Sequence, residues 1–103
     1  MRATVCGLLS VAALALPGAA LAANANHGGE LATRWCASCH IVSAEQKSGS
    51  TQAPPFSTIA KTPRFDANRL AYFLLEPHPK MPDMGLSRND ASDLAAYIAT
   101  QKK

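Results

Sequence analysis

Apolar residues recur along this chain with the period of an α-helix, so the pattern predicts helices joined by irregular segments. In two segments they stand at positions i, i+3 and i+4, where they would form one buried stripe: Leu70, Phe73 and Leu74, and Leu94, Tyr97 and Ile98. No run of alternating apolar and polar residues predicts a β-strand. The sequence therefore predicts an all-α fold in one domain.

Capping residues and prolines set the predicted helix boundaries. The predicted elements are a helix from Gly28 or Gly29 to about Cys39, a short turn at 56–60, a helix at 66–76 and a helix that begins after Ser87. Asp66 and Ser87 are the predicted N-caps, because their side-chain oxygens can accept hydrogen bonds from the first free N–H groups of a helix. Trp35 is predicted to be a core residue.

Residues 1–22 are predicted to be a signal peptide. Arg2 gives a positive start, an apolar run follows at 5–16, and Ala20-Leu21-Ala22 fits the small-x-small cleavage rule. The apolar run is shorter than the roughly 20 residues that span a bilayer, although an uncleaved anchor is the alternative. Cleavage after Ala22 would leave a domain of residues 23–103 outside the cytoplasm, which predicts a periplasmic protein.

The sequence Cys36-Ala37-Ser38-Cys39-His40 carries the candidate chemistry. Two thiols roughly one helical turn apart can each add to a haem vinyl group, which places the histidine beneath the iron. The alternatives are a dithiol redox pair, a structural disulfide or half of a zinc site. The zinc site lacks a second CxxC or HxxxH pair. We therefore predict one covalent haem c with its iron, anchored by Cys36 and Cys39 and ligated by His40.

Three later residues can supply the second axial ligand of the iron: His78, Met81 and Met84. Met81 is favoured, because Pro82 stiffens the backbone directly after it. A histidine at this position would instead make a bis-histidine site with a lower reduction potential.

The segment Ala53-Pro54-Pro55-Phe56 is predicted to be extended, because its two prolines fix φ and remove two backbone donors. The Pro54 carbonyl can then accept a hydrogen bond from the ring nitrogen of His40 that does not face the iron. Prolines that only stiffen a loop are the alternative. Phe56 and Phe73 are predicted to lie in the haem environment.

Charge and size narrow the function classes. The chain carries a formal net charge of +3 without a basic stripe interleaved with aromatic residues, so no nucleic-acid partner is predicted. A domain as small as residues 23–103 buries little apolar surface and needs a disulfide, a metal or a cofactor to stabilise it. Both of its cysteines lie in the haem motif, so they are not expected to form a stabilising disulfide. A covalent cofactor is therefore expected to stabilise the domain.

Together these features resemble class I cytochrome c over essentially all of residues 23–103. The resemblance rests on Gly28 eight residues before Cys36, the motif ending at His40, Pro54 followed by Phe56, Met81-Pro82, and the final helix with Tyr97. It implies three to four helices packed around one covalently bound haem, with the first and last helices crossing at Gly28 and Tyr97. It also implies His40 and Met81 as axial ligands. Ala32 departs from the family, which usually has an aromatic residue there.

The resemblance implies a periplasmic electron carrier rather than an enzyme, because an iron with both axial positions filled changes oxidation state without binding a substrate. Expected partners are redox proteins (a dehydrogenase, oxidase or reductase) that dock transiently on a monomer without stable membrane insertion. One alternative is a ligand-binding or catalytic haem protein, such as a gas sensor or peroxidase, which would need an open sixth position. Another is a haem subunit of a dehydrogenase complex.

Overall fold

The computed structural model describes residues 22–49, 53–76 and 80–103, with single positions 7, 10, 12 and 14 near the start. The helices are α1 (Ala25–Trp35), α2 (Phe56–Ala60), α3 (Ala67–Leu75) and α4 (Arg88–Ala99). The described residues contain no β-strand, so the predicted all-α fold is confirmed. None of the described helices has the length and apolarity needed to cross a membrane. Most of the predicted signal peptide lies outside the described residues, and its cleavage stays a prediction.

Helix α1 begins at Ala25, earlier than the predicted start at Gly28 or Gly29, because Asn24 caps it. The Asn24 side chain accepts a hydrogen bond from the N–H of His27 at 3.1 Å. The carboxylate of Asp93 on α4 then accepts from the N–H of Asn24 at 2.7 Å and lies 2.7 Å from Nδ1 of His27. The first turn of α1 is therefore fastened to α4.

Helices α1 and α4 cross at Gly28, as the resemblance implies. A Cβ atom at Gly28 would overlap the carbonyl oxygen of Asp93 and stand 2.9 Å from Cβ of Tyr97. At the next position, a Cβ on Gly29 would stand 3.0 Å from Cε2 of the Tyr97 ring. The two backbones approach this closely only because Gly28 has no side chain.

The protein core lies where α1, α2, α4 and the segment after the haem motif meet. Its buried members are Leu31, Ala32, Cys36, Val42, Phe56, Ala60, Leu94 and Ile98. Trp35 is 48% exposed, so the prediction that it is a core residue is wrong. Helix α1 ends at Trp35, and the next residue, Cys36, takes the buried position there with only 6% of its surface exposed.

Helix α3 begins where the sequence predicts, because the Asp66 carboxylate accepts from the N–H groups of Asn68 at 2.8 Å and Arg69 at 3.2 Å. Protein alone does not complete the burial predicted for the apolar stripe of this helix. None of its residues is fully buried by protein, and Phe73 is 50% exposed. Leu70 and Leu74 pack only partly against the core. The protein alone therefore covers the apolar face of α3 incompletely.

Helix α4 is the element against which the other helices pack. Helices α1, α2 and α3 each pack against α4, whereas among the described residues the backbones of these three helices do not come close to one another. The helix starts with the predicted capping box: the Ser87 hydroxyl accepts from the N–H of Asp90 at 3.0 Å, and the Asp90 carboxylate accepts from the N–H of Ser87 at 3.2 Å. Ala91, Leu94, Ala95 and Ile98 form its buried face.

The Gly28 crossing predicts a loss of stability in Gly28→Ala. The new Cβ would meet the backbone of Asp93, which cannot move aside like the end of a flexible side chain. Overpacking of this kind costs roughly 1–3 kcal/mol, or more, and the better helix propensity of alanine returns only about 1 kcal/mol. We expect the free energy of unfolding to fall by about 1 kcal/mol or more in urea titrations.

The matched control is Gly29→Ala, whose Cβ would meet the Tyr97 ring rather than backbone. A smaller loss than that of Gly28→Ala is expected, because a ring can shift by a few tenths of an ångström. Equal losses in the two variants would contradict the backbone-contact explanation.

Candidate haem-binding site

The motif continues from the end of α1 as a series of turns. The N–H groups of Cys36 and Ala37 donate to the carbonyl of Ala32 at 2.9 and 3.0 Å, and those of Cys39 and His40 donate to the carbonyl of Cys36 at 3.1 and 2.8 Å. The predicted helix to Cys39 thus ends at Trp35. The turns keep the two cysteines of the motif roughly one turn apart, as thioether attachment requires.

Neither cysteine of the motif forms a disulfide: Cys36 is a buried free thiol and Cys39 an exposed one. Burial raises the pKa of the Cys36 thiol to about 11, and Cys39 adds a smaller contribution. A thiol with so high a pKa carries almost no thiolate at neutral pH. No group of three or more His, Cys, Asp and Glu residues in the described ranges is placed to hold a metal ion.

His40 is oriented by the proline segment, because its Nδ1 lies 2.6 Å from the carbonyl oxygen of Pro54. A carbonyl oxygen can only accept, so Nδ1 carries the proton and the lone pair of Nε2 is left for a metal. The N–H of Phe56 donates to the carbonyl of Ile41 at 2.9 Å, which holds the proline segment beside the motif. The predicted hydrogen bond from His40 to the Pro54 carbonyl is therefore present in the structure.

Phe56 lies beside the candidate iron ligand. Its side chain is 3% exposed, and its ring centroid lies 5.3 Å from that of His40 and 6.3 Å from that of Tyr97. Phe73, the other aromatic residue predicted for the haem environment, is half-exposed on α3. The structure thus brings Phe56 to His40, while the part played by Phe73 stays a prediction.

The candidate sixth ligands lie in the irregular segment between α3 and α4. Met81 and Met84 are both partly buried, and His78 lies outside the described residues. Gly85 adopts a φ of 63°, and its N–H donates to the Asp83 carboxylate at 2.9 Å, so the chain turns directly after Met84. Met81 precedes this turn. The choice between these residues stays a prediction.

Two contacts near the motif have no signal in the sequence. Tyr97 donates its hydroxyl to the carbonyl of Val42 at 2.7 Å, which links α4 to the segment after His40. Gln46 bonds through its side chain to the backbone on both sides of His40. A glutamine in a polar loop has no feature that distinguishes it before the fold is known.

The residues of this site fit a covalently bound haem. The motif offers two free thiols, and the Pro54 contact leaves Nε2 of His40 available to iron. The apolar face of α3 is incompletely covered by protein, and within the described residues the backbones of α1, α2 and α3 do not come close to one another. A flat apolar cofactor bound at the motif would supply packing of the kind that these helices need.

Comparisons with known proteins agree with this geometry. Residues 23–98 match the family described as "Cytochrome C oxidase, cbb3-type, subunit III". The chain is also 50% identical over 96 residues to cytochrome c-552 of Bradyrhizobium diazoefficiens, an alignment that covers 93% of this chain and 90% of that protein. The chain belongs to the class I cytochrome c family. No solved structure matches it significantly.

Family membership establishes the cofactor and the general function. The cytochrome carries haem c with its iron, and Cys36 and Cys39 fit the CxxCH attachment motif. It is a small electron-carrier protein, as its relationship to cytochrome c-552 supports.

The hydrogen bond from Tyr97 to Val42 predicts that Tyr97→Phe is less stable than the parent. The substitution keeps the ring against Phe56 and removes only the hydroxyl, leaving the Val42 carbonyl without that donor. Loss of one such bond costs about 1 kcal/mol, which urea unfolding at neutral pH would measure. Tyr72→Phe is the control, because the Tyr72 side chain is 73% exposed.

Comparison of the parent with Tyr97→Phe also tests how the stability of the protein depends on pH. Burial, and to a smaller extent Glu45, raises the pKa of Tyr97. The unfolded chain therefore loses this proton first, so stability is unaffected below the ordinary tyrosine pKa of about 10 and falls as the pH rises through the folded value. Between about pH 9 and 11 the parent should lose stability more steeply than Tyr97→Phe. Equal slopes in the two proteins would contradict this assignment.

Proposed function

We propose that this cytochrome is a periplasmic electron carrier in which His40 and Met81 are the axial ligands of one haem c. The observation that carries the proposal is the contact of His40 Nδ1 with the Pro54 carbonyl, which leaves Nε2 available to the metal. When bound, haem c supplies a one-electron change between ferrous and ferric iron. The protein residues attach the cofactor, choose its ligands and exclude water.

Pro54 would tune the proximal side of the site. A carbonyl that accepts from Nδ1 makes Nε2 more basic and fixes the rotation of the imidazole ring. Phe56 packs beside that ring and is almost fully buried, so it limits the access of water to His40. A ligand held in this way changes its geometry little between oxidation states.

Met81 is the proposed distal ligand because Pro82 stiffens the chain after it. A thioether favours ferrous iron and raises the reduction potential, as suits an electron carrier. With both axial positions filled, no position is left for a substrate, so an enzymatic role is not proposed.

The proposed partners are redox proteins that dock transiently on the monomer, and the proposed compartment follows from the predicted signal peptide. A second candidate is a haem subunit of a larger redox complex, because the matching family is described as an oxidase subunit. Gel filtration of a native extract separates the two: a free carrier elutes at the size of one small chain, and a subunit elutes with its complex.

Replacement of the distal ligand tests the proposal. Met81→Ala should lower the reduction potential by on the order of 0.1 V, within the range that axial ligands set, and should let the ferrous protein bind carbon monoxide. Met84→Ala, a matched methionine in the same segment, should do neither. Redox titration and absorption spectra of ferrous protein under carbon monoxide provide the measurements.

Two outcomes would change the assignment. Carbon monoxide binding by ferrous His78→Ala, with no effect of Met81→Ala, would replace methionine by histidine as the ligand. Rapid carbon monoxide binding by the unmutated protein would favour the alternative of a ligand-binding or catalytic haem protein.

Removal of both attachment sites tests the cofactor's part in folding. Because the apolar face of α3 is incompletely covered by protein, Cys36→Ala with Cys39→Ala should give a haem-free, largely unfolded chain. Cys6→Ala, in the predicted signal peptide, is the control and should leave haem content unchanged. Native helix content without haem, measured by far-UV circular dichroism, would refute the prediction.

A further inference from the structure

The backbone directly after the haem motif belongs to no helix or strand, yet its polar groups are bonded one after another. The His40 carbonyl accepts from Nε2 of Gln46 at 3.1 Å, and the Ile41 carbonyl accepts from the N–H of Phe56 at 2.9 Å. The Val42 N–H donates to Oε1 of Gln46 at 2.9 Å, while its carbonyl accepts from Tyr97. Gln46 therefore supplies two of these four bonds.

The side chain of Gln46 also reaches back into the motif. Its Nε2 lies 3.0 Å from the carbonyl of Ala37 and 2.9 Å from that of Ser48, in addition to the His40 carbonyl. Three carbonyl oxygens surround Nε2 of Gln46, and the N–H of Val42 faces its Oε1. The side-chain amide can therefore have only this orientation, because the reverse would place Oε1 against the carbonyl oxygens. Two N–H hydrogens serve three acceptors, so at least one hydrogen is shared.

One side chain thus joins a residue inside the haem motif, the histidine at its end and the second residue beyond it. We propose that Gln46 is a positioning residue for His40, which holds the backbone of the histidine while Pro54 holds its ring. The proposal rests on the proposed role of His40 as the iron ligand. Without Gln46, the His40 N–H would keep its bond to Cys36, but its carbonyl and the following peptide would lose their restraint.

The Pro54 contact with the His40 ring and the Gln46 bond to the His40 backbone therefore complement each other. The Pro54 contact sets rotation about the side-chain bonds, but it can act only if the backbone stays where Nδ1 reaches the carbonyl. Tyr97 fixes the far end of the same segment through Val42, so Gln46 restrains the part that lies nearer to His40. Loosening Gln46 should accordingly open the bond between His40 and Pro54 more often, without disturbing the packing of α4.

Hydrogen exchange in the reduced holoprotein tests this role. Gln46→Glu keeps the shape and the acceptor for Val42 but removes the donor, and Gln46→Leu removes both. In each variant the Nδ1 proton of His40 should exchange at least about tenfold faster than in the parent, while the amide of buried Leu94 keeps its rate. Gln101→Glu is the matched control, because within the described residues the Gln101 side chain bonds only to the neighbouring Thr100. This variant should leave both rates unchanged.

Three other results of these experiments would contradict the proposal. A parallel increase at His40 and Leu94 would mean that Gln46 only stabilises the fold, and an unchanged rate at His40 would mean that it does not position the histidine. Absorption spectra of the same samples report axial ligation: a parent without histidine ligation would overturn the proposed function itself, whereas intact ligation with unchanged exchange overturns only the role of Gln46.

A measurement on the unmutated protein covers the case in which the variants do not fold. The side-chain amide protons of Gln46 should exchange more slowly than those of Gln101, because they are bonded to carbonyls in a partly buried position. Equal exchange rates for the two glutamines would overturn the proposal.

Discussion

The close crossing of α1 and α4 is the constraint on which the rest of the molecule depends. Gly28 lets the two backbones meet, and Asp93 ties the start of α1 to the same place on α4. The other end of α1 runs directly into the haem motif, while α4 carries Tyr97, which bonds to the segment after the motif. The positions of both cysteines and of His40 therefore follow from one contact between helices.

The proximal side of the haem site is built from backbone groups rather than from a pair of side chains. A proline carbonyl orients the His40 ring, and a glutamine amide and a tyrosine hydroxyl hold the backbone that carries it. These partners are neutral, so their interactions do not weaken with salt as surface ion pairs do. The site can therefore keep its geometry as the salt concentration changes.

The features that could be predicted from the sequence are those that depend on residues close together in the chain. The caps Asp66 and Ser87 act within three residues of themselves, and the motif and the proline segment define their own chemistry. The start of α1 is missed although its cap is also local, since the Asn24 side chain accepts from the N–H of His27; the Asp93 bond to Asn24 is the part that only the fold reveals. The stripe of α3 is apolar as the periodicity predicts, but protein alone does not cover it. Gln46 is missed because its partners come together only in the folded loop.

The bond between Asn24 and Asp93 joins residues that are 69 positions apart, and this has a consequence for the order of folding. A helix of 11 residues such as α1 is marginally stable in water by itself. The ribosome makes the cysteines and His40 long before it makes α4, so the motif stays without its ordering partner until nearly the whole chain exists. The native arrangement around the motif therefore has to wait for the last helix of the chain.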